Sequence, residues 1–267
     1  MSGDETPATP PGEKLQKVLA RAGFGSRREM EERIRQGRVR VDGRKAQLGD
    51  RVDADTVITV DGRPVERARR EPPSRVIVYN KPEGEVVTRR DPEGRPTVFR
   101  RLPRVRGRWI AVGRLDVNTM GLLVLTNDGQ LANALMHPSA GVEREYACRI
   151  FGEVTESIAE RLVHGVELDD GPAHFEVVES GMPLDEPGEG LNQWYHVIVR
   201  EGRQREVRRL WESQGLRVSR LIRVRYGPVV LPRDLGRGRT RELDDAARAE
   251  LYRHVGLKPP PGRRRRR

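Results

Sequence analysis

Cysteine is nearly absent: the 267 residues hold one, Cys148. A single thiol excludes an internal disulfide and any cysteine-based zinc cluster. Long apolar runs are missing too. No stretch approaches the ~20 apolar residues of a membrane-spanning helix, and the N-terminus lacks the apolar core of a signal peptide. A cytoplasmic protein with no membrane partner is therefore expected. Lysine is also scarce, with 5 (14, 17, 45, 81 and 258) among 51 basic residues, so arginine carries the positive charge. Acidic residues number 40, which leaves a net charge of +11 and a pI near 10.5. That surplus suits a polyanionic partner, and without a lipid-seeking segment nucleic acid is favoured. Phosphate-loop, HExxH and dinucleotide-binding patterns are all lacking, so neither a metal nor a cofactor is expected.

The length suggests two domains. Residues 1–12 are polar, Pro-rich and aperiodic, and are expected to be disordered. Over residues 13–65, Leu15, Val18, Leu19 and Ala22 mark one helix face, stopped at Gly23. Ser26 and Glu29 then form a capping box for a second helix that runs to Gln36. Short alternating pieces at 38–41 and 57–60 predict small strands. Residues 66–74 are charged and aperiodic, the best linker in the chain. Beyond it, strands are expected at 75–80, 109–112, 122–125, 143–151, 173–179, 193–200 and 218–225. Helices are expected at 130–136, 155–164, 205–215 and 240–255. Residues 88–97 and 181–190 read as loops, and 258–267 as a disordered tail ending in five arginines suited to phosphate contact. His137, before Pro138, reads as a capping or packing residue.

The chemistry gathers around residues 113–129, GRLDVNTMGLLVLTNDG. Asp116 is expected on a short loop beside a buried strand, a common way to present a catalytic carboxylate on a rigid frame. Two further strings stand out. EREYACRIF (143–151) alternates as a strand with Tyr146 on one face, and EGRQREVRRLW (201–211) leads into a helix.

Together these strings resemble the motifs of the RNA pseudouridine synthases, in the ribosomal branch that carries an N-terminal S4 domain. KLQKVLARAGFGSRREMEERIRQGRVRVDG (14–43) resembles the S4 RNA-binding domain, and the likeness runs from about Lys14 to Leu257. Segments such as RWIAVGRLDVNT, LNQWY and EVRRLWE look most like the large-subunit members. The resemblance implies an α+β fold: a small S4 domain of two helices and short strands, then a catalytic domain (75–257) with a mixed, largely antiparallel sheet flanked by helices. It implies that a specific uridine of 23S ribosomal RNA is flipped from its stem. Its N-glycosidic bond breaks, the uracil turns, and it rejoins the sugar through carbon. Substrate and product are isomers, so no cofactor is needed.

By the same resemblance Asp116 is the essential catalytic residue, either nucleophile at the sugar or base at the neighbouring carbon. Tyr146 stacks on the target base and takes part in removing its proton. Arg208 forms an ion pair with Asp116; a guanidinium beside an enclosed carboxylate favours its ionised form. Val207 packs near the base, and Lys81, Arg114, Thr119 and Arg203 complete the substrate site. RNA contacts are expected from Arg21, Ser26, Arg27, Arg28, Arg33 and Arg38 of the S4 segment, and from Arg89, Arg90 and Arg95 of a loop that leans over the RNA. The working form is expected to be a monomer. A non-catalytic S4-type assembly factor, or the same chemistry on small-subunit rRNA, are the alternatives.

Overall fold

The computed structural model describes residues 12–66, 73–181 and 192–260. Most of the expected N-terminal disordered stretch and of the linker, nearly all of the 181–190 loop, and the five-arginine end of the tail lie outside the described residues. The chain divides into two compact units, residues 1–72 with 105–108, and residues 73–104 with 109–267.

In the first unit, β1 (Glu13–Lys14) leads directly into α1 (Leu15–Arg21), and α2 (Arg27–Arg35) follows after one turn. Leu15, Val18 and Leu19 bury the inner face of α1, whereas Ala22 is exposed at its C-cap. The capping box forms as the spacing predicts. Ser26 Oγ accepts from the Glu29 amide at 3.1 Å, and the Ser26 amide donates to Glu29 Oε2 at 2.5 Å. Four short strands, β2 (Val39–Val41), β3 (Arg44–Lys45), β5 (Ile58–Val60) and β6 (Arg63–Pro64), form an antiparallel sheet in the order β3-β2-β5-β6, while β4 (Arg51–Val52) pairs with β1. Met30, Ile34, Val39, Val41, Ile58 and Val60 join α1 in one small core.

The second unit is built on a nine-stranded sheet. Its main path uses β7 (Val76–Lys81), β9 (Met120–Thr126), β10 (Arg144–Phe151), β13 (Val177–Ser180), β14 (Asn192–Val199), β15 (Arg217–Tyr226) and β17 (Thr240–Glu242). The order is β13-β14-β10-β15-β9-β7-β17, with β8 (Ile110–Ala111) against β9 and β16 (Val229–Val230) against β15. Every pairing is antiparallel except β15 with β9. Two large cores form on this sheet, beside a small cluster of Ala147, Trp194 and Val224. One packs α3 (Gly129–Met136) and α6 (Asp245–His254) on β7 and β9; the other packs α4 (Glu156–His164) and α5 (Glu206–Glu212) on β10, β14 and β15. The architecture is α+β, as expected.

Strand β9 is buried at all seven positions. That explains its near-continuous apolar sequence, with each Leu or Val contributing roughly 1.5–3 kcal/mol over exposure. Gly121 is required where β9 meets β15. A Cβ there would lie 2.3 Å from the Arg223 carbonyl oxygen, and its φ is +95°.

Two expected elements differ. Residues 240–255 are not one helix: Thr240–Glu242 form edge strand β17 on β7, and α6 starts only after Asp244, whose carboxylate caps Ala247 N at 2.8 Å. Glu242 is held there by a bidentate pair with Arg75 at 2.7 and 2.8 Å. The expected strand at 173–179 is two pieces. β12 (Gly171–Ala173) pairs back on β11 (Val166–Leu168), and the chain then turns so that Phe175 sits fully buried against Trp211, 5.5 Å between ring centres, before β13 begins.

Candidate active site

Asp116 lies on the turn between β8 and β9, where the Thr119 amide donates to the Asp116 carbonyl at 3.0 Å. Its carboxylate is exposed and has no hydrogen bond or ion pair among the described residues. The turn beneath it is held from behind. Lys81, fully buried at the end of β7, donates Nζ to the carbonyls of Pro82 at 3.0 Å, Val117 at 3.3 Å and Thr119 at 2.8 Å. Arg208, on α5, reaches the Asn118 carbonyl at 3.0 Å and the Val218 carbonyl at 2.9 Å. The Gly84 amide adds a second bond to the Val117 carbonyl at 2.9 Å. Three successive carbonyls after Asp116 thus accept from two buried cations.

Both cations are shifted by their surroundings. Burial drives the Lys81 ammonium down to about 8, while Glu85, Asp116 and Glu83 pull the other way. Burial and the nearby Arg205 lower Arg208, partly offset by Asp116. The contact ion pair expected between Arg208 and Asp116 does not form: the guanidinium is spent on carbonyls, and its Nε is buried without a partner. Arg208 acts on Asp116 through the backbone and at longer range.

A cleft of about 970 Å³ opens over the turn. It brings together Arg114, Asp116, Thr119, Tyr146, Arg203 and Val207, the last at the start of α5. Lys81 and Arg208 stand behind its wall. Tyr146 is half-buried on β10, and Thr119 is buried with its hydroxyl oxygen unpartnered. Arg203 lines the cleft, but its guanidinium is occupied by Glu201 at 2.5 Å and the Pro172 and Gly171 carbonyls at 2.7 and 3.2 Å.

The cleft also holds residues outside the expected site set. Glu206 is buried, and burial followed by the charge of Glu201 raises its carboxyl above the usual range. Arg144, two residues before Tyr146 on β10, donates to the Val142 carbonyl at 2.9 Å. Arg223 is 2% exposed on β15. In sequence it alternates with Ile222, Val224 and Tyr226 and so falls in the polar phase of its strand, which hides it. His137 caps a short turn, its Nδ1 accepting from the Ser139 amide at 3.3 Å. Among the described residues, no cluster of His, Cys, Asp and Glu could hold a metal ion, and no helix is long and apolar enough to cross a membrane.

The expected RNA-contacting residues fall into two groups. Arg27, Arg28 and Arg90 are exposed, and their side chains have no hydrogen bond or ion pair among the described residues. The others have protein partners: Arg21 with Glu13 (2.6 Å), Arg33 and Arg38 with Asp61 (3.5 and 2.6 Å), Arg95 with Asp91 (2.8 Å), and Arg89 stacked on Phe99 at 4.4 Å. Ser26 is committed to its cap.

A family model described as RNA pseudouridylate synthase matches residues 75–213, and an S4 domain model matches 13–58. The chain is 60% identical over 257 residues to ribosomal large subunit pseudouridine synthase B of Pseudomonas aeruginosa, covering 96% of this chain and 66% of that relative. It is 59% identical over 252 residues to the protein of that name from Escherichia coli K12, covering 92% and 84%. A solved structure described as a pseudouridylate synthase superposes with a TM-score of 0.61 at 24% identity, over 90% of this chain and 99% of that one, a likeness of fold. With the motifs, the sheet and the cleft in agreement, this chain belongs to the RNA pseudouridylate synthase family, an isomerase with an S4 domain ahead of its catalytic sheet.

Proposed function

We propose that this chain converts a uridine of large-subunit ribosomal RNA to pseudouridine, with Asp116 as the reacting carboxylate. The observation that carries the reading is a carboxylate free of protein partners among the described residues, exposed to a cleft, on a turn fixed by two buried cations. Preorganisation of this kind directs a group at substrate and costs no rearrangement during reaction. The ribosomal substrate is carried by identity to relatives of that name.

The target nucleotide leaves its stem and enters the cleft. Tyr146 stacks on the base, and its hydroxyl assists proton removal from carbon 5. Val207 supplies an apolar wall, and Arg114 and Thr119 contact the nucleotide. Lys81 and Arg208 position the Asp116 turn, while Arg203 shapes the cleft through its own chain. Asp116 attacks the sugar or abstracts a proton from the carbon beside it. Neither route requires a cofactor. Residues 13–65 add affinity for RNA and 75–257 carry the chemistry, in a monomer working in the bacterial cytoplasm.

Asp116→Ala and Asp116→Asn should abolish isomerisation and leave binding to an rRNA fragment within a few fold. Tritium release from RNA labelled at uridine carbon 5 measures this. Release by Asp116→Ala at the wild-type rate would overturn the assignment.

A further inference from the structure

Arg223 is a buried charge in the cleft that the proposed chemistry leaves unused. It is 2% exposed, yet lines the same cleft as Asp116 and Tyr146. Its strand carries an extra residue at this point. Glu145 pairs with Arg225, but the next residue, Tyr146, pairs with Arg223, leaving Val224 unmatched. Bulges of this kind re-aim side chains and concentrate beside active sites. Here the bulge sets Arg223 directly across from Tyr146, where regular pairing would have put it opposite Ala147. On its other side Arg223 pairs with Gly121, whose missing side chain lets β9 and β15 close up.

The guanidinium makes one hydrogen bond, from Nε to the Leu122 carbonyl at 2.8 Å, and packs 5.1 Å from the centre of the Tyr226 ring. No carboxylate pairs with it among the described residues, and Nη2 is buried without an acceptor. An unpaired buried cation is costly to the fold, so its retention calls for an explanation. The acceptor it lacks must enter the cleft with the substrate. RNA phosphates remain hydrated and suit the exposed Arg114 and Arg205. A uracil ring enclosed beside Tyr146 offers instead two carbonyl oxygens. When the bond from N1 to the sugar opens, its electron pair leaves with the base, and the charge spreads from N1 onto those oxygens.

We propose that Arg223 binds the uracil of the flipped nucleotide, donating from a free guanidinium nitrogen to a ring carbonyl oxygen and stabilising the charge the base carries while detached. This rests on the isomerisation proposed for the Asp116 cleft.

The test uses an RNA stem-loop carrying the uridine that the wild-type enzyme modifies, synthesised with uridine, 2-thiouridine or 4-thiouridine at that position. Sulfur accepts hydrogen bonds poorly. Single-turnover rates at saturating enzyme are compared for the full-length wild type, Arg223→Lys and Arg223→Gln. Wild type should slow at least about tenfold on one of the two thio substrates. Arg223→Gln should be roughly 10²–10³-fold slower on uridine, lose that thio penalty, and bind RNA within a few fold of wild type. Arg223→Lys should recover part of the rate.

Equal wild-type rates on all three RNAs would overturn the proposal, whether or not the variants fold. So would variants that keep the full thio penalty, which would make Arg223 structural. A loss confined to salt-sensitive affinity would make it a phosphate contact and overturn it equally. Failure of wild type on every stem-loop containing a uridine would instead remove the isomerisation itself.

Discussion

Tyr146 and Asp116 reach the cleft from different elements, and neither side chain is locked by a hydrogen bond among the described residues. Their freedom leaves both available to substrate. For Tyr146, stacking and proton transfer are separable. Base–aromatic stacking is worth about 1–3 kcal/mol by alanine substitution, and general acid–base assistance a further ~10²–10⁴-fold in rate. Tyr146→Phe keeps the ring and removes the hydroxyl. It should bind rRNA nearly normally and turn over at least about a hundredfold slower in single-turnover assays, whereas Tyr146→Leu should also lose binding. Near-wild-type turnover by Tyr146→Phe would leave the residue as a stacking platform. Gly121 makes a second test. Gly121→Ala brings a methyl group to within 2.3 Å of the Arg223 carbonyl at a φ of +95°. Strain at such a φ costs about 1–3 kcal/mol, and overpacking typically ~1–3 kcal/mol more. Chemical denaturation should show a loss of that order, and an unchanged midpoint would mean the strands can part freely. The sequence motifs alone brought Asp116 and Val207 to the cleft, and for Tyr146 strand alternation agreed with its motif. Arg223 was not legible, since the bulge that turns it inward depends on pairing with β10 and leaves no local trace.

The turn before β9 couples two distant elements to one carboxylate. Lys81 closes β7 and Arg208 lies in α5, and both spend their donors on carbonyls that follow Asp116. Three acceptors surround Lys81 Nζ, matching the three N–H donors of an ammonium but not the two of a neutral amine. With its proton held only up to about pH 8, Lys81 should release one carbonyl and weaken the positive field at Asp116 as pH rises through that value. Turnover should therefore fall on the alkaline side with an apparent pKa near 8. Stability should move oppositely. The folded-state value of about 8 lies below the ordinary 10.5, so between those two pH values the unfolded chain binds more protons and folding strengthens as pH rises. That stabilisation is lost as pH falls through the folded value. Lys81→Met should remove both slopes and lower turnover throughout. An alkaline limb unchanged in Lys81→Met would assign it to another group. The Lys-Pro pair at the end of a strand was visible in sequence, but its clasp on residues 117–119 was not. The contact spans more than thirty positions and is made to backbone, which carries no side-chain signature.

One basic chain folds as two compact units, and the S4-like string and the aperiodic stretch after it mark the division in the sequence. The order of strands in the large sheet was hidden. Met120 pairs with Ile222 in parallel and Thr240 pairs with Tyr79, partners set by packing across most of the chain. Edge strand β17, reading Thr-Arg-Glu, has no apolar pattern to betray it. The net charge of +11 was legible at once, but composition does not say which arginines are available to RNA. Pairing distinguishes them. Arg38 and Arg95 hold bidentate contacts to Asp61 and Asp91, and those carboxylates are in turn held below their usual range by Arg38 and Arg95. Such pairs add little stability at a surface, yet they neutralise the charge that a phosphate would seek. Arg27 and Arg28, in the first turn of α2, and Arg90 are free of such partners among the described residues. Removing a single arginine–phosphate pair should lower the log–log salt slope of RNA binding by about 0.7–0.9. The double substitution Arg27→Ala, Arg28→Ala should therefore reduce the slope by roughly 1.4–1.8, and Arg90→Ala by about half that. Arg38→Ala and Arg95→Ala should change it less. Single-turnover rates at saturating enzyme should stay at the wild-type level in the Arg27, Arg28 pair, because phosphate contacts position RNA without touching the reacting atoms. Filter-binding titrations from low to moderate salt measure every slope, and a wild-type slope in the double variant would take α2 out of the RNA interface.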